Sequence, residues 1–148
     1  MRITIRSYED RDLEAAVHLW FESWRSTGLA VAERASEPAM QARFAEELVS
    51  GWTVYLADDD AGRLVGFLAL KPETKCLDQI FVAPAAQSRG VGVALLDFAK
   101  QRMPEGFWLR TAVDNAGACR FYERFGFRRG ETATHPTLGH ETVIYRWP

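Results

Sequence analysis

Apolar positions recur along this chain with two periods, and the switches between them mark its elements. Ile3 and Ile5 alternate with Thr4 and Arg6, which predicts a first strand with one buried face. Ser7 to Asp12 supplies turn and cap chemistry, and Leu13, Ala16, Val17, Trp20, Phe21 and Trp24 then return at helical spacing until Gly28. A second helix is predicted from Met40, Phe44, Leu48 and Val49, with Pro38 suited to its opening turn. Two β-rich runs, Trp52 to Ala57 and Leu64 to Leu70, flank a carboxylate- and glycine-bearing turn and predict a hairpin. The Asp58-Asp59-Asp60 triplet reads as a solvated turn, since a calcium loop needs ligands spaced over a longer frame.

Cys76 to Val82 is the next predicted strand, on which simple alternation puts Cys76, Asp78, Ile80 and Val82 on one face and Leu77, Gln79 and Phe81 on the other. Ala83-Pro84 stops it. Val91, Ala94, Leu95 and Phe98 then carry a helix to Met103, where Pro104 ends it. Gly106 to Val113 is a strand parallel to the one before that crossover helix. Asp114-Asn115 caps a helix from Ala116 to Phe125, and β regions at 127–132 and 141–147 flank a turn over 134–140. The order predicts an α/β fold, a central mixed β-sheet flanked by about four helices, in one domain spanning residues 1–148.

Composition narrows the function. An apolar fraction of 47% in 148 residues suits one globular core, and a net charge of -2 argues against nucleic acid or an anionic membrane as partner. No apolar run is long enough to span a bilayer and the start of the chain lacks a signal-peptide core, so a cytoplasmic location is expected. Cys76 and Cys119 form neither a disulfide framework nor a metal cluster and are read as reduced and structural. His135 and His140 lack an evident third ligand, so no metal is expected.

The chemistry concentrates between residues 82 and 96. A helix beginning near Val91 exposes unpaired N–H groups and the positive end of its dipole, which together favour an anion. Gly90 and Gly92 admit a phosphate close to the main chain, and Gln87 and Arg89 add side-chain donors. A pyrophosphate suits this site. A nucleotide P-loop would need lysine and a hydroxyl residue where Val93 and Ala94 stand, and a dinucleotide fingerprint would need a small residue where Leu95 stands.

Val82-Ala83-Pro84 followed by Gln87-Ser88-Arg89-Gly90-Val91-Gly92 resembles the acetyl-CoA motif of the GNAT superfamily of N-acetyltransferases. A second stretch, Asn115-Ala116-Gly117-Ala118-Cys119-Arg120-Phe121-Tyr122-Glu123-Arg124-Phe125-Gly126-Phe127, is similar to another element of that family, in the family's order. The resemblance implies acetyl transfer from acetyl-CoA, the cosubstrate, to a primary amine of a small molecule or peptide, without a metal. It implies that Gln87, Ser88, Arg89, Gly90, Val91, Gly92 and Val93 hold the pyrophosphate. It further implies that backbone groups of Ile80, Phe81 and Val82 meet the pantetheine and acetyl group, that Asn115 contacts the cofactor, and that Tyr122 protonates the leaving thiolate.

Many family members carry a glutamate on the strand that here offers Cys76 and Asp78. Asp78 is the first choice for general base, acting through water, with Glu33, His135 and Glu141 as other candidates. Without that glutamate, a CoA-binding sensor or interaction module of the same fold is the competing reading. The family's acceptor pocket lies between its first two helices, which makes Trp24, Arg25, Glu33 and Arg34 candidate acceptor contacts. Trp20, Phe21 and Trp24 suggest an aromatic wall or simply core. His18 is expected to be structural. The family often forms dimers, and a homodimer is a further expectation.

Overall fold

The computed structural model describes residues 2–148 and contains a seven-stranded sheet in the order β1-β2-β3-β4-β5-β7-β6. The strands are β1 (Thr4–Ser7), β2 (Thr53–Asp58), β3 (Leu64–Lys71), β4 (Cys76–Val82), β5 (Phe107–Ala112), β6 (Arg128–Thr134) and β7 (Glu141–Trp147). The helices are α1 (Leu13–Ser26), α2 (Glu37–Ser50), α3 (Val91–Arg102) and α4 (Ala116–Arg124). The mixed α/β sheet and four helices follow the predicted order. Local chemistry explains the boundaries: Ser36 accepts from Ala39 N at 3.4 Å to cap α2, and Asn115 accepts from Ala118 N at 3.1 Å to cap α4.

Helices cover both faces. On one, Ala16, Val17 and Trp20 of α1 and Phe44 of α2 pack on Val54, Leu56, Phe67 and Ala69. Trp20, Phe44, Trp52 and Phe67 form an aromatic cluster with ring centroids 5.3–6.1 Å apart. On the other, Val91, Leu95, Leu96 and Ala99 of α3 and Cys119 and Tyr122 of α4 pack on Leu68, Leu70, Leu77, Leu109, Val143 and Tyr145. Each fully buried aliphatic or aromatic side chain stabilises the fold by about 1.5–3 kcal/mol relative to exposure. Trp20 therefore belongs to the core as well as to the aromatic wall.

The β2–β3 turn is more organised than a solvated tip. Asp59 is only 7% exposed and accepts from the N–H groups of Ala61 and Arg63, both at 2.9 Å, while Asp58 takes Arg6 Nε at 2.7 Å. Two of the three aspartates thus satisfy backbone and guanidinium donors. No helix among the described residues is long and apolar enough to cross a membrane.

Two irregularities in the sheet shape what lies at its centre. The pairing of β3 with β4 slips after Ala69↔Gln79, so that Leu70 faces Leu77 and Asp78 is left as the extra residue of a bulge. The expected alternation along β4 therefore fails. Leu77, Ile80 and Val82 all join the α3 and α4 core, whereas Asp78 turns to the side of α2, where Trp52 Nε1 donates to it at 2.8 Å. The second irregularity is at the parallel pair. Among the described residues, β4 and β5 pair only at Cys76↔Trp108 and then part, leaving the edge of β4 from Asp78 onward without a strand beside it.

Candidate active site

The parted strands open into a cleft of about 890 Å³. Its floor is Leu77 to Phe81 on one side and Leu109 to Ala112 on the other, with Asn115 and, from α4, Ala118 and Tyr122 completing it. Trp20, Trp24, Arg34 and the α2 residues Ala39, Met40, Arg43, Glu46 and Glu47 line it as well, as does the β6–β7 turn with His135, Thr137 and His140. Strand divergence is what makes the space. Backbone groups freed along such a gap are fixed in direction before any ligand arrives, which is the property an oxyanion or amide partner requires.

Beside the gap lies the anion turn. Ser88 and Gly90 both adopt left-handed backbone, with φ of 65° and 86°, and Gly90 caps α3. Ala94 N donates to Gly90 O at 3.0 Å, so the N–H groups of Val91, Gly92 and Val93 precede the first α-helical bond and have no intrahelical acceptor. Gln87, Ser88, Arg89 and Gly90 are exposed around them. A Cβ on Gly92 would meet nothing nearer than Phe121 Cζ at 3.6 Å, so the protein itself does not demand a glycine there. None of Gln87 to Val93 lines the cleft itself, and a Cβ on Gly92 would lie 3.7 Å from Val82 Cγ2, at the end of β4.

Of the β4 residues singled out, Ile80 and Phe81 line the cleft. The carbonyl of Val82 is already engaged: Ser23 Oγ, buried on α1, donates to it at 3.0 Å, and Gln87 Nε2 stands at 3.5 Å. That bond ties α1 to the mouth of the gap. Ser23 carried no signal in the sequence beyond being a polar residue on the apolar side of α1.

Tyr122 is 6% exposed, packed against Phe121, Phe127 and Tyr145 with centroids 5.4–5.8 Å away. Its burial pushes the phenol well above the ordinary tyrosine range, so it keeps its proton at neutral pH. It lines the cleft, as does Asn115. The oxygen of the Asn115 amide is used by the helix cap, so its NH₂ is what remains for a ligand.

Asp78 also lines the cleft, with its side chain 20% exposed. Trp52 Nε1 and Lys71 Nζ, the latter at 3.8 Å, both approach Oδ2, and Lys71 is shared with Glu47 at 3.2 Å. Cys76 is 4% exposed, and burial, reinforced by the Asp78 charge, pushes its thiol up to about 12, which makes it an inert core group. Among the described residues no group of three or more His, Cys, Asp or Glu is arranged to hold a metal.

The other candidates separate cleanly. Trp24 and Arg34 line the cleft, whereas Phe21, Arg25 and Glu33 do not. Glu141 takes Thr134 Oγ1 at 2.8 Å outside the cleft, and exposed His18 stands 3.2 Å from Glu37. His135 is within the cleft, but its Nδ1 accepts from the N–H groups of Thr137 and Leu138 at 3.1 and 3.0 Å. That fixes the proton on Nε2 and uses the basic lone pair, and burial lowers its pKa further. His135 is a hydrogen-bond donor to the cleft and a poor base. Arg43 and Arg110, which line the same space, are site residues that the sequence reading missed.

The sheet thus parts beside a glycine-bearing helix start, and the protonated phenol of Tyr122 lines the gap. A model of the acetyltransferase (GNAT) family matches residues 10–127, and the chain belongs to that family. It is 29% identical over 97% of its length, and 96% of the relative's, to the peptidyl-lysine N-acetyltransferase YiaC of Escherichia coli. Among solved structures, the ribosomal-protein-S18-alanine N-acetyltransferase of E. coli superposes with a TM-score of 0.76 at 24% identity, covering 99% of this chain and 94% of that one. The PaiA N-acetyltransferase of Thermoplasma acidophilum, in complex with coenzyme A, superposes with a TM-score of 0.72 at 22% identity, covering 99% and 98%. Both show the same fold. The chain is thus an N-acetyltransferase of the GNAT type.

Proposed function

We propose that this protein transfers the acetyl group of acetyl-CoA directly to a primary amine of a peptide or small molecule. The observation that carries the reading is the coincidence of the β4–β5 gap with the unpaired N–H groups of Val91, Gly92 and Val93 at its mouth. The pyrophosphate lies on those groups, with Gln87, Ser88, Arg89 and Gly90 around it. The pantetheine runs along the open edge of β4 at Ile80 and Phe81, with the Val82 carbonyl held in place by Ser23. Asn115 offers its NH₂ to the same chain.

In the reaction the amine nitrogen attacks the thioester carbonyl carbon, the C–S bond breaks, and the sulfur leaves as a thiolate. Tyr122 gives the thiolate its proton. Asp78 takes the proton the amine must lose: both of its protein contacts fall on Oδ2, which leaves Oδ1 to reach the amine through water. A peptide amine is favoured as acceptor by the likeness to a peptidyl-lysine N-acetyltransferase over nearly the whole chain.

The test is CoA release from acetyl-CoA across a panel of amino acids, polyamines, aminoglycosides and peptides with free amines. Release with one acceptor class, and an acetylated product of that class, is the expected result. Tight acetyl-CoA binding without any amine modified would favour a sensor instead, and absence of binding would overturn both.

A further inference from the structure

The charges lining the cleft are unevenly matched. Lys71, Arg34, Arg43 and Arg110 face Glu46, Glu47 and Asp78. Lys71 is neutralised by Glu47 and Asp78. None of the three arginines lies within 4.0 Å of a carboxylate among the described residues. Two of them rest on aromatic faces instead: the Arg43 guanidinium lies 6.0 Å from the Trp20 ring centre and that of Arg110 lies 5.3 Å from Trp108. Such contacts orient a guanidinium while leaving its N–H fork unspent.

These two arginines come from different elements of the lining, Arg43 from α2 and Arg110 from β5, and His135 of the β6–β7 turn lines the same cleft. Beyond burial and the neighbouring His140, the charges of Arg110 and Arg43 depress the His135 pKa and that of Asp78 raises it. The fixed tautomer makes its Nε2–H a third donor in the same cleft. A cleft that gathers two guanidiniums with no carboxylate within 4.0 Å, and an imidazole N–H, suits an anion with planar, paired oxygens.

Resting on the acetyl-transfer reading, the geometry points to an acceptor that carries a carboxylate close to its reactive amine, bound by Arg43, Arg110 and the His135 Nε2–H. The carboxylate is either the α-carboxylate of a free amino acid or the side chain of an acidic residue beside a peptide's reactive amine. Arg34, on the segment leading to α2, strengthens the field that draws it in.

Matched acceptors test this. Free amino acids are compared with their α-amides, and peptides with Glu next to the reactive residue are compared with the same peptides carrying Gln. The expected result is that the carboxylate member of one pair is preferred, and which pair it is identifies the source. Arg110→Gln and Arg43→Gln each raise KM for that acceptor by about ten- to a hundredfold, leave KM for acetyl-CoA unchanged, and erase the preference over the neutral partner. Arg110→Lys restores part of it.

Equal use of the carboxylate and neutral members overturns the inference and leaves acetyl transfer standing. So does a preference that survives both substitutions. If no amine is acetylated, binding of glutarate to the CoA-loaded protein replaces turnover as the readout: binding lost in both arginine variants supports the anion site while the transfer reading fails, and no binding, or binding unchanged in the variants, overturns it.

Discussion

Removing the Tyr122 hydroxyl gives a sharp test of its role, because the structure separates catalysis from packing at this residue. The ring is 6% exposed and packs against Phe121, Phe127 and Tyr145, contacts that phenylalanine keeps. No protein hydrogen bond to its hydroxyl is found among the described residues, so Tyr122→Phe leaves no buried group stranded and changes stability by less than about 1 kcal/mol. A general acid contributes typically about 10²–10⁴ in rate, which at about 1.4 kcal/mol per decade is roughly 3–5 kcal/mol of transition-state stabilisation. Steady-state kinetics of CoA release is therefore expected to show kcat lower by that factor, with KM for acetyl-CoA within about threefold, since the interaction is made only as the thiolate forms. The raised pKa of the phenol adds a second expectation: ionisation of this group costs the wild type no activity between pH 7 and 10. A kcat for Tyr122→Phe within about threefold of wild type, with an unchanged melting temperature, would refute the acid role.

Other perturbations follow from the same geometry. Gly92→Ala fits the protein without a close contact, the nearest atom being 3.6 Å from the new Cβ, so the melting temperature is expected to hold while KM for acetyl-CoA rises about tenfold; an unchanged KM would remove the phosphate from this turn. Gly66→Ala puts a Cβ 2.9 Å from both Leu95 and Val91 and is expected to cost about 1–3 kcal/mol in chemical denaturation, whereas a neutral result would mean that α3 shifts freely over β3. Asp12→Asn breaks the bidentate pair that Arg6 makes with Asp12 at 2.9 and 3.0 Å and is expected to cost about 1–3 kcal/mol. Because the Arg6 guanidinium lowers the Asp12 pKa below its unfolded value of about 3.9, this stability is present above that pH and lost as pH falls through the folded value; a wild-type protein as stable at pH 3 as at pH 6 would count against it.

Much of the fold was legible because its elements bury one face each. Alternation in β1, the β-rich run of β2, the apolar stripe of α1, Pro38 in the first turn of α2 and the cap at Asn115 all reflect local rules that tertiary packing did not override. The turn before α3 was legible for a similar reason, since two glycines and a helix start are contiguous in the chain. Asp78 was misplaced because the one-residue bulge puts Leu77 rather than Asp78 on the face of Ile80 and Val82, and nothing in Cys76 to Val82 announces the slip. Arg43, Arg110 and His135 come from three elements far apart in sequence, so their place in one cleft exists only in the folded chain. The fixed tautomer of His135 likewise depends on two backbone groups of its own turn, which composition does not reveal.

The central claim, that the donor lies in the β4–β5 gap with its pyrophosphate on the start of α3, is tested most directly by following backbone amide resonances while acetyl-CoA is titrated in. The account predicts the largest shifts at Val91, Gly92 and Val93, with a second group at Ile80 and Phe81 and a side-chain response at Asn115. Saturable binding that moves other amides and leaves these in place would contradict it.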